Sequence, residues 1–345
     1  MKELKRFCSF LVVAVLLVSC DKTTDFHIIQ GEAQGSTYSI KYIASEEKVT
    51  KNQIDSLLTS FDLSLSTYRL DSKISKINTG DSTVVVDDFF TETFQLSNQI
   101  YKETNGLFDP TIGVLVNAYG FGPNKKHQDL SQKQIDSLLQ FVGFNKIALN
   151  SDKTISKKHN QTFIDFNAIA QGYSVDVVVY YLKSKGIENA IVEIGGELFA
   201  LGKNTIDNKN WVVGIDDPLQ KPEERTLIAK VNLENLGMAT SGNYRKVMID
   251  EVTGNKFVHI INPKTGLAQK NNVLSATVLS KSSAISDGYA TAFMLMSLEE
   301  SKVFLQKHPE LHVMLLYADA NNKMQQFTTD NFKKLINDKV KKAFI

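Results

Sequence analysis

A carboxylate and a hydroxyl one helical turn apart form the first pattern in this sequence that could support chemistry. Asp287 and Thr291 lie in the segment from Ser283 to Met296, where apolar residues recur at the spacing of a helix. Residues four positions apart share a helix face. Two hard oxygen ligands on that face suit Mg²⁺, which fills its remaining positions with water and phosphate oxygens. The simpler alternative is that Asp287 caps the helix or interacts with its dipole.

An acidic residue also stands between a predicted strand and a predicted helix. Asp165 ends an apolar strand, and the residues after it form a tight turn into a helix that begins near Ile169. Such a turn can present backbone carbonyl groups to a cation, and the first N–H groups of the helix can face an anion. The alternative is a capped turn that binds no ligand.

A single histidine has a sequence context that fits a functional site. His259 follows an apolar strand and precedes the turn Asn262-Pro-Lys-Thr-Gly266. From this position an imidazole can reach a cleft, and the other five histidines have no comparable context. The alternative is a structural histidine whose ring nitrogens are satisfied by neighbouring groups.

The glycine-rich segments do not match the common nucleotide-binding fingerprints. Gly120-Phe-Gly122 is followed by Pro123, and no third glycine follows at the required spacing. The sequence also contains no Gly-Lys-Ser/Thr of the Walker type. A nucleotide bound by this protein must therefore be held by a different geometry.

The N-terminus has the features of an exported protein. Basic residues at positions 2, 5 and 6 precede an apolar run from Phe7 to Val18, and the small Ser19 follows. This order is typical of a secretion signal. The run is shorter than the ~20 residues that a membrane-spanning helix needs. We therefore expect residues 1–19 to be a signal peptide.

The residue after this segment is a candidate for lipidation. Leu17-Val-Ser-Cys20 resembles a bacterial lipobox, in which Cys20 is lipidated and becomes the mature N-terminus, followed by a short tether over residues 20–30. Cys8 and Cys20 are the only cysteines, so a disulfide or thiolate metal site within the mature fold is excluded. We expect an exported protein, anchored by lipid to a bacterial membrane and facing the periplasm or the cell exterior. The alternative is an ordinary cleaved leader.

Composition and element order indicate one α+β unit. The 345 residues are 42% hydrophobic and carry a net charge of +1, which gives no reason to expect a nucleic-acid partner. No Pro-, Gly- or Ser-rich linker divides the chain after the tether. Strands and helices do not alternate regularly, which argues against a doubly wound parallel sheet. Apolar spacing predicts helices at 54–61, 88–104 and 175–182, and strands at 190–194, 211–215, 273–279 and 313–317.

Taken in order, the motifs resemble those of the FAD:protein FMN transferase (ApbE) family, which attaches FMN to a threonine of respiratory flavoproteins. The likeness extends from Gln34 to about Met296. It is carried by residues 34–38, 65–68, 106–113, 119–122, 165–176, 194–197, 211–218, 240–244, 259–266 and 286–292. The resemblance implies largely antiparallel mixed sheets with packed helices, in one compact two-lobed unit over residues 31–345. It places the FAD site in the cleft between the lobes.

The resemblance also implies residue roles. Asp287, Thr291 and the backbone carbonyl of Ala168 would hold Mg²⁺. His259 would lie near the phosphates, and either His259 or Asp165 would act as the catalytic base. The residues expected to contact FAD are Gln34, Tyr68, Gly120, Phe121, Gly122, Asp165, Gln171, Ile260 and Ile261.

Five positions depart from the family pattern. The family commonly has Lys at Gln171, so one positive contact to the dinucleotide is absent here. It commonly has Gly-Gly at Asn167-Ala168, a change that a backbone ligand tolerates. It also commonly has Met at Gln34 and Asp at Asn262. These departures concern individual contacts to FAD more than the overall assignment.

The implied activity is Mg²⁺-dependent transfer of FMN from FAD to a threonine hydroxyl, with release of AMP. FAD is then a substrate, and the protein partner is an acceptor flavoprotein, such as a subunit of a membrane redox complex. Two alternatives remain open. One is an Mg²⁺-dependent FAD pyrophosphatase that uses water as the acceptor, and the other is a flavin-binding lipoprotein without catalytic activity.

Overall fold

An eight-stranded antiparallel sheet forms the centre of the protein. In the computed structural model the described residues are 24–122, 130–220, 226–242, 247–249, 256–258, 260–268 and 272–337. The predicted signal peptide, Cys20 and His259 lie outside these residues. The strand order in the sheet is β1-β2-β5-β6-β9-β12-β13-β14, and every neighbouring pair is antiparallel. The strands are β1 (Asp25–Ala33), β2 (Ser36–Ala44), β3 (Ile147–Leu149), β4 (Ile155–Lys157), β5 (Ala190–Ile194), β6 (Glu197–Leu201), β7 (Trp211–Asp216), β8 (Leu227–Leu233), β9 (Leu236–Gly242), β10 (Val247–Ile249), β11 (Lys256–Val258), β12 (Val273–Ser280), β13 (His312–Ala318) and β14 (Met324–Thr328).

The remaining strands form three two-stranded sheets, β3–β4, β7–β8 and β10–β11. The helices of the described residues are α1 (Lys51–Leu65), α2 (Lys73–Asn78), α3 (Asp88–Glu103), α4 (Gly113–Ala118), α5 (Gln132–Leu139), α6 (Ala170–Ser184), α7 (Ser283–Phe293), α8 (Leu298–Lys307) and α9 (Asp330–Lys333). No helix among the described residues is long and apolar enough to cross a membrane.

Alternate residues of a strand point to opposite faces of a sheet, and the inner strands β12 and β13 are mostly buried on both faces. On β13, Val313 and Leu315 pack with α3 and α7, whereas Met314 and Leu316 pack with the β7–β8 hairpin and α9. Towards the other end of the sheet, strands β2 and β5 pack against α1 and α6. Helices therefore cover one face, and the hairpin with α9 covers the other.

The predicted fold class is confirmed, and most predicted elements are present. The helices predicted at 54–61 and 175–182 lie within α1 and α6, and the one predicted at 88–104 matches α3 to within one residue. The four predicted strands correspond to β5, β7, β12 and β13. Helix α7 ends at Phe293, and the residues from there to Met296 form a turn. The helix is therefore shorter than the apolar stripe suggested.

Candidate functional site

A cavity of about 270 Å³ lies between the first turn of α6, one face of α7, the end of β9 and the loops at 107–112 and 260–263. The β5–β6 turn closes it further, with Gly195 and Glu197 in the wall. The structure brings most of the predicted site residues to this cavity. Those that line it are Tyr68, Phe121, Asp165, Ala168, Gln171, Ile260, Ile261, Asp287 and Thr291.

The two predicted side-chain ligands of a metal face this cavity from α7. Asp287 is only 6% exposed, and one of its carboxylate oxygens, Oδ2, accepts a hydrogen bond of 3.0 Å from the backbone N–H of Gly172. The hydroxyl of Thr291, one turn later, lies 3.3 Å from the hydroxyl of Ser241 on β9. The helix therefore presents a carboxylate and an alcohol on the same side, as their spacing predicted.

The turn before α6 has the tight geometry expected from the sequence, but the strand predicted to end at Asp165 is absent, and only an isolated bridge between Phe163 and Ile112 precedes the turn. The backbone N–H of Asp165 donates to the carbonyl of Pro110 at 2.7 Å, and that of Asn167 donates to the Asp165 carboxylate at 2.8 Å. Helix α6 then begins at Ala170 without a side-chain cap from its own N-cap residue. Ala168 lies within this turn and lines the cavity beside Asp287 and Thr291.

Tyr68 supplies an aromatic surface at the cavity and lies near a negative charge. Its side chain is 56% exposed, so much of the ring is open to a ligand. Burial raises the pKa of its hydroxyl, and the nearby Asp165 carboxylate raises that pKa further. An open ring beside a cavity is suited to stacking on a flavin or adenine ring system.

Three predicted contact residues are not part of the cavity wall. Gly120 and Gly122 flank Phe121, and a Cβ on Gly122 would come within 1.7 Å of the Asn117 side chain. Gly122 therefore allows the loop to pack closely, and Gly120 adopts a positive φ of 82°, while Phe121 reaches the cavity. Gln34 lies in the β1–β2 turn with a φ of 55°. Its Oε1 accepts a hydrogen bond of 3.1 Å from Ser174, and its buried Nε2 has no hydrogen-bond partner among the described residues.

Gln171 lies against the β5–β6 turn. A Cβ on Gly195 would come within 1.6 Å of the Gln171 amide nitrogen, so the side chain occupies the space above this glycine. The Ser174 hydroxyl donates to the main-chain carbonyl of Gln171 at 2.7 Å, which connects this part of α6 to Gln34. The two glutamines that depart from the family pattern are therefore linked through one serine.

Several cavity residues were not assigned a role from the sequence. The most notable are two acidic residues, Asp109 and Glu197, which are 8% and 6% exposed. Burial raises the pKa of Asp109, whereas hydrogen bonds from the N–H and hydroxyl of Thr111 lower it. Both acidic residues lie in segments that carry the family resemblance, and this location is the sequence signal that could have identified them as site residues. Thr240 and Ser241 on β9 line the same cavity.

The chemistry of the wall fits a hard divalent cation held partly by non-acidic oxygens. Among the described residues no group of three or more His, Cys, Asp or Glu side chains could hold a metal ion. The donors expected from the sequence are one carboxylate, one hydroxyl and a backbone carbonyl, from Asp287, Thr291 and Ala168, and all three residues line the cavity. This donor set suits Mg²⁺, which usually takes one or two carboxylates plus phosphate oxygens.

Comparison with known proteins identifies the family. A family model described as the ApbE family matches residues 34–315. A protein of Haemophilus influenzae named FAD:protein FMN transferase is 33% identical, covering 98% of this chain and 100% of the relative. One from Vibrio cholerae with the same name is 32% identical over 94% of this chain and 96% of its own length.

Solved structures agree with this result. The flavin transferase ApbE from Vibrio cholerae has a TM-score of 0.79 and 31% identity, covering 91% of this chain and 100% of the solved one. The apo form of the Pseudomonas stutzeri flavinyl transferase ApbE also has a TM-score of 0.79, at 27% identity over 90% and 97% of the two chains. This chain thus matches ApbE proteins in sequence over most of its length and also in fold. This chain therefore belongs to the ApbE family.

Proposed function

We propose that this protein uses Mg²⁺ to transfer the FMN half of FAD to a threonine hydroxyl of an acceptor flavoprotein, with release of AMP. The observation that carries the proposal is the convergence of Asp287, Thr291 and Ala168 on one cavity, which Tyr68 and Asp165 also line. Family membership and full-length relatives named FAD:protein FMN transferase already make this chain a flavin transferase.

Some residues of the cavity would hold the metal that neutralises the pyrophosphate charge, and others would contact the rest of FAD. Asp287, Thr291 and the Ala168 carbonyl would hold Mg²⁺, which neutralises charge on the pyrophosphate and polarises the phosphorus when it is bound. Tyr68 would stack on a ring of FAD. Gln171 offers a neutral amide where the family commonly has lysine, so it can hydrogen-bond a ligand without adding a positive charge.

The proposed reaction exchanges one phosphorus–oxygen bond for another. The acceptor hydroxyl oxygen attacks the phosphorus on the riboflavin side, and the bond from that phosphorus to the bridging oxygen breaks. AMP leaves with the bridging oxygen and its electron pair, while the hydroxyl proton passes to a base. Asp165 or His259 would be that base, a role typically worth about 10²–10⁴-fold in rate. Alignment of the reacting groups would contribute further to the acceleration.

The decisive experiment incubates the protein with FAD, Mg²⁺ and an acceptor protein, followed by mass spectrometry of the acceptor. A single added FMN on a threonine and an equal amount of AMP are expected. A parallel reaction without acceptor separates the alternatives. Release of FMN and AMP at a comparable rate would identify a pyrophosphatase, and FAD left intact in both reactions would identify a binding protein.

We also propose that the protein is exported and anchored to a bacterial membrane through lipid on Cys20. Support comes from the basic start, the apolar run and the Leu-Val-Ser-Cys motif at the N-terminus. Several acyl chains on one cysteine would hold the protein firmly, whereas one chain would give marginal attachment. The anchor would keep the cavity close to acceptor proteins at the same membrane.

A further inference from the structure

Helices α6 and α7 cap each other through an exchange of carboxylates. In each helix an aspartate lies four residues after an N-terminal backbone N–H group: Gly172 and Asp176 in α6, Ser283 and Asp287 in α7. The Gly172 N–H donates to Asp287 at 3.0 Å, and the Ser283 N–H donates to Asp176 at 2.8 Å. The first N–H groups of a helix have no partner within it, so each aspartate satisfies one such group of the other helix.

The two aspartates differ in what else they contact. Both oxygens of Asp176 accept hydrogen bonds from the start of α7: the Ser283 N–H at 2.8 Å, the Ala284 N–H at 2.9 Å and the Ser282 hydroxyl at 2.7 Å. Asp176 is 4% exposed and is not part of the cavity wall, whereas Asp287 lines the cavity. Asp176 thus binds the start of α7, whereas Asp287 faces the cavity proposed to hold the ligand.

The start of α7 has little freedom to move between its neighbours. A Cβ on Gly172 would lie 2.3 Å from the Ser283 carbonyl oxygen, and one on Gly237 of β9 would lie 2.5 Å from the Ser283 nitrogen. The Ser283 hydroxyl also donates to the Leu198 carbonyl on β6 at 2.8 Å. Because Asp287 follows Ser283 by one helical turn, the position of Ser283 determines where the Asp287 carboxylate points.

We propose that Asp176 is a positioning residue for the Mg²⁺ site: it holds the first turn of α7 so that Asp287 and Thr291 face Ala168. This inference rests on the proposed function, because it requires Mg²⁺ at Asp287. Burial raises the pKa of the Asp176 carboxyl, and its hydrogen bonds with residues 282–284 oppose that rise. Removing the carboxylate leaves these donors buried without an acceptor, so the first turn of α7 must shift to satisfy them.

The test compares Asp176→Ala and Asp176→Asn with a helix-cap control in the full chain. Asp87 is a matched control, because its carboxylate caps α3 by accepting from the Phe90 N–H at 3.0 Å and from the Ser64 hydroxyl at 2.7 Å. Two quantities are measured for each variant. They are the Mg²⁺ concentration that gives half-maximal flavin transfer, and the rise in Tm that Mg²⁺ causes with FAD present and no acceptor.

Asp176→Ala should raise the half-maximal Mg²⁺ concentration by about 10- to 100-fold, the usual effect of losing a residue that orients a metal ligand. It should also remove most of the Mg²⁺-dependent rise in Tm. Asp176→Asn should give a smaller increase, because its amide oxygen can still accept from the start of α7. Asp87→Ala should lower Tm but leave the Mg²⁺ requirement unchanged.

An unchanged Mg²⁺ requirement in Asp176→Ala, with a loss of Tm similar to that of Asp87→Ala, would overturn the positioning role. Should the alanine variant fail to fold, the asparagine variant decides: an Mg²⁺ requirement equal to that of the wild type also overturns the role. The proposed function fails in a different way. In that case the wild-type protein itself would transfer no FMN, or would do so without Mg²⁺.

Discussion

The Asp287 side chain caps a neighbouring helix and also lines the cavity. One oxygen accepts a hydrogen bond from the Gly172 N–H, and the residue also lines the cavity that Ala168 and Thr291 line. A carboxylate fixed by a hydrogen bond at a helix start is well placed to bind a cation in one defined orientation. Asp287 therefore caps α6 rather than its own helix, where the simpler sequence interpretation had placed the cap and where Ser282 is the N-cap, and it is also a candidate metal ligand.

Replacing Asp287 should have a greater effect on transfer than replacing the candidate base. We expect Asp287→Ala to reduce the rate by more than about 10²-fold, and by more than His259→Ala, because the metal and positioning contribute more than one proton acceptor. Steady-state assays with saturating FAD and acceptor, over a range of Mg²⁺ concentrations, would measure both losses. Asp88→Ala, a change at an exposed site on α3, is the control. Full activity of Asp287→Ala would rule out the metal assignment.

Asp109 should make stability depend on pH in a predictable direction. Burial raises the pKa of this carboxyl above its ordinary value of 3.8, so the folded state binds a proton more readily than the unfolded state. Its contribution to the free energy of unfolding is thus greatest below about pH 3.8 and is lost as the pH rises through the folded-state pKa.

The variant Asp109→Asn tests this sign, because its amide oxygen can still accept from Thr111. The free energy of unfolding of the wild type, minus that of the variant, should fall as the pH increases from 3.5 to about 7. Denaturant titrations of both proteins at a series of pH values would measure the difference. A difference that grows with pH would contradict the prediction.

The helices and strands were predicted well where one short segment carried the pattern. The helix predicted at 54–61 is an example, and the hexapeptide Gln-Ile-Asp-Ser-Leu-Leu that overlaps it from Gln53 also occurs from Gln134, where it forms a helix with the same kind of capping box. The reciprocal caps of α6 and α7 could not be predicted in this way. The i, i+4 spacing of Asp287 and Thr291 was visible in the sequence. Asp176, however, accepts from Ser283, which lies 107 positions away, and no local pattern specifies such a pairing.

Gly172 is the close-contact point of this helix pair, and its substitution should disturb both packing and binding. A Cβ in Gly172→Ala would lie 2.3 Å from the Ser283 carbonyl oxygen and 2.8 Å from the Asp287 Cβ. Overpacking of this kind costs about 1–3 kcal/mol, and the better helix propensity of alanine offsets up to about 1 kcal/mol.

We therefore expect Gly172→Ala to lower the free energy of unfolding and to raise the Mg²⁺ concentration needed for transfer. Chemical denaturation and Mg²⁺ titrations would measure the two effects. Ser184→Ala, at the exposed end of the same helix, should change neither quantity. A Gly172→Ala variant with wild-type stability and Mg²⁺ dependence would show that α6 and α7 can separate without loss.

The large sheet explains why residues far apart in the chain meet at one cavity. The β5–β6 turn, the end of β9 and the start of α7 come from distant segments, and antiparallel pairing brings them together. The family pattern indicated which residues belong to the site, but composition and spacing alone could not supply this arrangement. The burial of Asp109 and the link from Gln34 to Gln171 through Ser174 likewise depend on contacts between separate elements.

The proposed lipid anchor should be separable from the catalytic unit. We expect Cys20→Ser to release the protein from the membrane fraction while flavin transfer by the purified protein stays close to the wild-type rate, because the proposed site lies within residues 68–295. Fractionation of cells and metabolic labelling with a fatty acid would follow the anchor. Cys8→Ser, within the predicted leader, is the matched control and should stay membrane-bound. Retention of Cys20→Ser in membranes would contradict lipidation at this position.

The hydrogen bond between Gly172 and Asp287 joins residues 115 positions apart. During synthesis, the turn that carries Ala168 leaves the ribosome long before α7 does, so a shortened product has one part of the proposed metal site without the other. The capacity to use FAD is consequently acquired late, when most of the sequence has been made. A truncated copy that lacks α7 could keep several strands of the sheet and still be unable to modify any protein.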